Sequence, residues 1–151
     1  MQLMEKLNQD MKEAMRAKEA GKLRLSVIRM IKSAAKYAEI EKGGQLTEDD
    51  LLTVITKELK QRRDVLPEYE NNGRQEAAEV IRQEMDILLG YLPQQMDEAA
   101  IRALVRATIQ EVGAAGPKDM GKVMGKLSAA TKGKADGRLV SEIVKETLAF
   151  L

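Results

Sequence analysis

The sequence contains no cysteine, no histidine and no tryptophan. The absence of cysteine excludes disulfide bonds, thiolate metal ligands and thiol nucleophiles. The absence of histidine removes the most common general base and the most common zinc ligand. Catalysis would have to rest on carboxylates, lysine, tyrosine or serine, and no two of these form a recognisable catalytic pair. We therefore expect no catalytic residue, no metal site and no cofactor.

Aromatic residues and long apolar runs are also scarce. Aromatic residues make up only 3% of the chain, so nine methionines together with leucine and alanine must fill the core. No apolar run approaches the roughly 20 residues that a membrane span requires. The N-terminus lacks the charged-then-apolar layout of a signal peptide. These features predict a cytoplasmic protein without a membrane partner.

Apolar residues recur at three- and four-residue spacing in seven segments, so the sequence predicts an all-α fold. Glycine stop signals and Asn/Asp/Thr cap signals separate these segments, with predicted N-caps at Thr47, Asp97 and Asp136. Pro67 is expected to kink or terminate the third helix. The fourth helix is expected to run from about Arg74 to Leu92.

The best domain boundary is the polar, proline-containing joint at residues 92–95. The four helices before it predict an N-terminal, four-helix bundle-like domain over residues 1–93, with a bent assembly of helical hairpins as the alternative. The three helices after it predict a C-terminal three-helix domain over 94–151. The first part has 16 basic and 17 acidic residues, a net −1, and the second has 9 and 7, a net +2. The C-terminal domain is thus the more favourable surface for a nucleic acid.

Residues 116–139 have the most unusual composition, with six basic and two acidic residues between positions 118 and 138. A short helix, a basic glycine-containing loop and a helix N-terminus at Asp136 would offer ammonium and backbone N–H groups to phosphate. The alternative is an ordinary solvated turn between two helices. The predicted nucleic-acid-binding residues are Lys118, Lys122, Lys126, Lys132, Gly133, Lys134, Gly137 and Arg138.

Two glycines in this stretch, Gly121 and Gly125, call for a separate interpretation. The run from Gly116 to Lys122 has the spacing of a phosphate-binding P-loop, but Val123 stands where the magnesium-binding Ser or Thr is required. Nucleotide hydrolysis is therefore not expected. We interpret the two glycines as a small-residue face that allows a neighbouring helix to approach closely.

Arg24 falls on the apolar side of the second helix, and Glu84 lies at the edge of the apolar face of the fourth. The two are predicted to form a structural ion pair between helices. The alternative is that Arg24, which lies near a helix start, extends its guanidinium to water.

The basic stretch also resembles a known family. Asp119-Met-Gly-x-Val-Met124, followed by Lys132-Gly-Lys-Ala-Asp-Gly137, is similar to the C-terminal signature of the YqeY family. Matching positions extend over nearly the whole chain, at Arg24-Leu25-Ser26-Val27-Ile28-Arg29, Lys60-Gln61-Arg62-Arg63, Glu79 with Glu84, and Tyr91-Leu92-Pro93. The resemblance implies a helical N-terminal part and a three-helix C-terminal part. The latter is similar to the tail domain of the B subunit of the bacterial tRNA-dependent amidotransferase, which contacts tRNA in that enzyme.

The resemblance implies a tRNA-binding or tRNA-related accessory protein. The catalytic portion of the amidotransferase is absent, so carbon–nitrogen ligase activity with glutamine as amide donor would attach at most by similarity. The spacing of the basic residues suits the phosphate backbone and not the bases, the scarcity of aromatics argues against a stacking platform, and DNA is not expected as a partner. A protein-interaction module that binds a partner enzyme or a translation complex is the alternative, and an independent enzyme is a third.

Overall fold

The computed structural model describes residues 2–151, and over this range it shows seven α-helices and no β-strand. The predicted all-α fold is confirmed. Short 3₁₀ turns at Lys18–Gly21 and Pro117–Asp119 precede the second and sixth helices. The helices are α1 (Gln2–Arg16), α2 (Lys22–Lys42), α3 (Glu48–Asn71), α4 (Gln75–Leu89), α5 (Glu98–Val112), α6 (Met120–Thr131) and α7 (Gly137–Ala149).

The chain forms two compact units, one up to Leu92 and one from Pro93 to Leu151. Each unit has its own apolar core, built from one side of every helix in it. In the first unit, α1 to α4 bury Leu7, Ile28, Ile31, Ile55 and Leu88. In the second, α5 to α7 bury Ile101, Val105, Val123, Leu127 and Ile143.

The three predicted N-caps are confirmed. Thr47 Oγ1 accepts a hydrogen bond from the Asp50 N–H at 3.1 Å, and Asp50 Oδ2 accepts from the Thr47 N–H at 2.9 Å. This reciprocal capping box satisfies N–H groups that lack a helical partner. A hydrogen bond from the Lys42 ammonium lowers the pKa of Asp50 to about 2, so the cap stays charged near neutral pH. Asp97 and Asp136 accept hydrogen bonds at the starts of α5 and α7.

The structure excludes one of the two alternatives for Pro67 and shifts one predicted helix end. Helix α3 passes through Pro67 and continues to Asn71, so the proline does not terminate it. Pro67 is exposed, and it removes one hydrogen bond of the helix because proline has no N–H group. Helix α4 ends at Leu89 and not at Leu92. The next N–H groups donate to carbonyls three residues back, which tightens the chain just before Pro93, where an α conformation is disfavoured.

Gly21 allows a close approach at the start of α2. A Cβ atom at this position would lie 2.2 Å from the Ala14 carbonyl oxygen and 2.7 Å from the Ala14 Cα. No side chain fits at that distance, because both neighbours are backbone atoms of α1. Gly21 is therefore part of the packing between α1 and the start of α2, in addition to being a stop signal.

Candidate nucleic-acid interface

Helix α6 has a buried side and an exposed side. Val123 and Leu127 are fully buried in the core of the C-terminal unit, whereas Lys122 and Lys126 are exposed. Lys126 forms an ion pair with Glu111 of α5. Because both side chains are exposed, this pair contributes at most about 1 kcal/mol, and an incoming phosphate can compete for the lysine.

The interpretation of Gly121 and Gly125 as a helix-packing face is wrong. A Cβ atom at either position would meet nothing within 4 Å, so no neighbouring helix approaches there. Both glycines instead lie on the exposed side of α6, next to Lys122 and Lys126. The exposed side of α6 therefore has no side chain at these two positions and is flat there, with lysine ammonium groups beside it. A bulky anionic chain can approach this flat surface.

The loop over residues 131–135, called the basic loop below, is fixed by three hydrogen bonds. The Lys134 N–H donates to the Thr131 carbonyl at 2.8 Å. The Gly133 carbonyl accepts from Gln95 Nε2 at 2.7 Å, and the Lys134 carbonyl accepts from the Met96 N–H at 2.8 Å. Gly133 has a φ of 73°, a conformation that glycine adopts without steric cost.

These contacts decide which groups of the basic loop are available to a ligand. Gly133 is buried and its carbonyl is used inside the unit, whereas the Lys132 and Lys134 side chains are exposed. The backbone is thus held in one conformation while two ammonium groups extend into solvent. Because the backbone is already ordered, binding an anion here would cost little backbone entropy, and the main ordering cost would fall on the two lysine side chains.

The start of α7 is less open to an anion than its sequence indicates. Gly137 is the first residue of the helix, and the Asp136 carboxylate accepts a hydrogen bond from the Arg138 N–H at 3.2 Å. A phosphate at this point would meet that carboxylate. The exposed Arg138 side chain is therefore the group that α7 offers to a ligand, and Lys118, exposed in the turn before α6, is a further cation of the stretch.

The predicted Arg24–Glu84 ion pair is not what forms. Arg24 Nη2 lies 3.0 Å from Asp10 Oδ2 of α1, and Glu84 Oε2 accepts hydrogen bonds from Arg62 Nη2 and Nε at 3.1 and 3.3 Å. Each predicted partner thus has another partner, because Asp10 and Arg62 lie in the helix contacts and require compensation of their own charges. Asp10 interrupts the apolar stripe of α1 between Leu7 and Ala14, a signal that sequence reasoning missed.

Tyr91 completes the contact around Asp10. Its hydroxyl donates a hydrogen bond to Asp10 Oδ2 at 2.5 Å, and the side chain is only 7% exposed. Burial and the hydrogen bond to Asp10 together raise the pKa of Tyr91 to about 12, so the hydroxyl remains a donor at neutral pH. The Lys6 ammonium lies 5.4 Å from the centre of the ring. This cluster joins α1, α2 and the turn after α4.

The part of the chain that the structure describes contains no group of three or more acidic side chains that could hold a metal ion. Within the same residues, no helix is both long and apolar enough to cross a membrane.

A family model described as Yqey-like protein matches residues 4–148. The chain belongs to the YqeY family. A similar curated protein is "Altered inheritance of mitochondria protein 41, mitochondrial" from Pyrenophora tritici-repentis, which is 29% identical over 146 residues, covering 95% of this chain and 79% of that protein. The protein of the same name from Clavispora lusitaniae is 37% identical over 99 residues, 64% of this chain and 56% of its own length. The names of both relatives describe them as mitochondrial.

Proposed function

We propose that this YqeY-family protein is an accessory protein that binds the phosphate backbone of RNA, tRNA in particular, through its C-terminal unit. The observation that carries the proposal is the basic loop, whose backbone is fixed by three hydrogen bonds while Lys132 and Lys134 are exposed. The protein would contribute contacts and not catalysis, since the chain has no histidine or cysteine and its carboxylates, lysines, tyrosines and serines form no recognisable catalytic pair.

The chemistry of the surface favours backbone contacts. Lysine ammonium groups are point charges that contact phosphates without distinguishing one base from another. The low relief of α6 beside Lys122 allows a phosphate chain to approach. The net charge of the protein is only +1, so the affinity would be modest and would fall steeply with salt.

The same proposal explains the resemblance to the tail domain of the amidotransferase B subunit. We infer that the two domains share the role of contacting RNA, and that any amide-transfer chemistry belongs to a separate enzyme. The compartment is part of this proposal: the sequence predicts the cytoplasm, while the fungal relatives are named as mitochondrial. Both compartments contain tRNA, so the proposal holds in either.

The test is the double substitution Lys132→Ala with Lys134→Ala, measured by fluorescence anisotropy with labelled tRNA over a salt series. We expect weaker binding and a slope of log K against log salt that is smaller by about 1.5, because two phosphate contacts are lost. The melting temperature should not change, since both side chains are exposed.

The matched control is Lys12→Ala with Arg16→Ala, which removes two exposed charges from α1. If both variants lose affinity equally, binding depends on net charge alone and the basic loop is not the site. The alternative, in which the protein docks on a partner enzyme or translation complex, makes the opposite prediction. Capture of that partner would survive high salt and nuclease, because an apolar interface is not weakened by counterions.

A further inference from the structure

Helix α2 carries a second basic surface, in the N-terminal unit. Residues 22–38 include five basic side chains and no acidic one. Two of the five are directed to α1: Arg24 forms the ion pair with Asp10, and Lys32 Nζ donates to Asn8 Oδ1 at 2.7 Å. The other three, Lys22, Arg29 and Lys36, are exposed.

The three exposed cations lie in one line along the helix. Seven residues correspond to almost two turns and a rise of about 10.5 Å, so Lys22, Arg29 and Lys36 follow one another along a line of about 21 Å. Ser26 and Ser33 are exposed between them. A shallow depression of about 440 Å³ here is lined by α2 residues alone. We call Lys22, Ser26, Arg29, Ser33 and Lys36 the α2 basic face.

An exposed aromatic ring adjoins the end of the α2 basic face. Tyr37 is 70% exposed, whereas Tyr91 is buried and Tyr69 has the Arg74 guanidinium 4.8 Å from its ring centre. Beside Tyr37 lies a solvent-open cavity of about 590 Å³, walled by the small apolar side chains of Ala34, Ala38 and Val54.

The charged groups that line this cavity leave it open to an anionic ligand. The Asp50 carboxylate is bound by the Lys42 ammonium at 2.6 Å, which compensates its charge. Lys57 and Glu41 also line the cavity, one of each sign. Helix α2 itself carries no acidic side chain before Glu39, so an anionic chain can follow the α2 basic face toward Tyr37 without meeting an acid of that helix.

We propose that the α2 basic face binds a single-stranded segment of RNA. Lys22, Arg29 and Lys36 contact its phosphates, and one base stacks on Tyr37 at the cavity. This inference rests on the proposed function, because that function identifies RNA as the ligand. It adds a second RNA site, in the N-terminal unit, and it specifies that the RNA bound there is unpaired. The three cations favour a polyanion because the charges are complementary. The exposed tyrosine ring favours a polyanion whose bases can stack on it, and bases are free to do so in a single strand but not in a duplex.

The first test measures binding of a labelled 12-nucleotide oligouridylate by anisotropy. Tyr37→Ala should weaken binding by about 5- to 100-fold, the usual effect of losing one stacked base, while Tyr37→Phe should bind as the native protein does. The triple substitution of Lys22, Arg29 and Lys36 by Gln should reduce the salt slope by about 2, since each single-strand phosphate contact contributes about 0.7. The control is the same triple change at the exposed residues Lys12, Arg16 and Lys145, which lie in α1 and α7, and it should leave the slope nearly unchanged.

Intrinsic fluorescence gives an independent test. The chain has three tyrosines and no tryptophan, so its emission comes from tyrosine. A base stacked on Tyr37 should quench part of this emission in the native protein, and Tyr37→Phe should bind the oligonucleotide without that quenching. Equal quenching in both proteins would overturn the stacking contact.

The possible outcomes separate this inference from the proposed function. If the Lys132/Lys134 variant loses affinity while the α2 variants bind like the native protein, the basic loop stands and the α2 site is overturned. The reverse result supports the α2 site and overturns the loop. Equal affinity for a duplex of the same length overturns the preference for a single strand. No binding of any RNA at low salt overturns both sites.

Discussion

At the scale of single residues, Tyr91, Asp10 and Arg24 show how the N-terminal unit accommodates a buried carboxylate. Asp10 is 8% exposed and receives a hydrogen bond from the tyrosine and an ion pair from the arginine. A buried charge without such partners would cost several kcal/mol, so the three side chains depend on one another. The contact links α1, α2 and the turn that follows α4.

This contact predicts a stability loss at alkaline pH. The pKa of Tyr91 is about 12 in the folded protein and 10.0 in the reference state, so the folded state retains a proton that the unfolded state releases. The free energy of unfolding should therefore fall as pH rises from about 10 to about 12. Urea denaturation at pH 9 and pH 11 measures it, with Tyr91→Phe as the comparison. The native protein should lose more stability than the variant between these two pH values.

Tyr91→Phe should also cost about 1–3 kcal/mol at neutral pH, because Asp10 loses its buried donor. All other ionisable groups are the same in both proteins, so only the difference between the two pH profiles reports on Tyr91. Parallel profiles would contradict the prediction.

The same cluster shows what residue types alone can and cannot establish. Periodicity places Arg24 on the apolar side of α2 and Glu84 at the edge of the apolar face of α4, but it does not identify their partners. Partners across helices depend on the rotation and axial offset of each helix, which are properties of the folded packing. The basic loop could be predicted in part, because its basic composition is visible in the sequence. Its fixed backbone could not, because it depends on hydrogen bonds to Gln95 and Met96, which are remote along the chain.

At the scale of elements, Gly21 determines how closely α1 and α2 meet. Gly21→Ala would place a methyl group 2.2 Å from the Ala14 carbonyl oxygen, a backbone atom that cannot rotate away. We expect a loss of about 1–3 kcal/mol or more, as for other overpacked sites. Thermal denaturation measures the loss.

Gly44→Ala is the matched control, because a Cβ there would meet nothing within 4 Å and the backbone conformation is open to alanine. This control should be neutral or slightly stabilising. A Gly21→Ala protein as stable as the control would show that α1 can shift to admit the methyl group.

Helix identity was predictable, and some helix ends were not. The three N-caps follow from local hydrogen bonds of Thr47, Asp97 and Asp136, so they are encoded within four residues. The end of α3 is different, because packing of α3 against α4 offsets the one hydrogen bond that Pro67 removes. Packing partners are not visible in a single segment of sequence.

At the scale of the whole molecule, the presence of two cores predicts that the C-terminal unit folds alone. We expect the fragment Pro93–Leu151 to give a helical circular dichroism spectrum and a cooperative thermal transition. The transition should lie at a lower temperature than that of the full chain, since a unit of about 60 residues buries only about 60% of its surface.

Leu127→Ala in the fragment removes a fully buried side chain and should abolish the transition, as its cost of about 2–5 kcal/mol is comparable to the total stability of so small a unit. A fragment without a transition would show that the second unit depends on the first.

The net charge of the whole molecule does not reveal that parts of its surface are strongly basic. A total of +1 gives no indication of nucleic-acid binding, yet α2 and residues 118–138 are both strongly biased toward basic residues. Compensating acids are concentrated elsewhere, for example in α4, which has four acidic residues and one basic residue. A local count along each helix therefore identifies basic surfaces that the sum for each domain does not reveal.

The attachment of the basic loop has a mechanical consequence. Its carbonyls are held by Gln95 and Met96, which follow Pro93 at the beginning of the C-terminal unit. The loop is also continuous with α6 and α7, so a displacement of Lys132 or Lys134 would strain both helices and residues 95 and 96 together. Opening the loop therefore requires the start of the C-terminal unit to move as well.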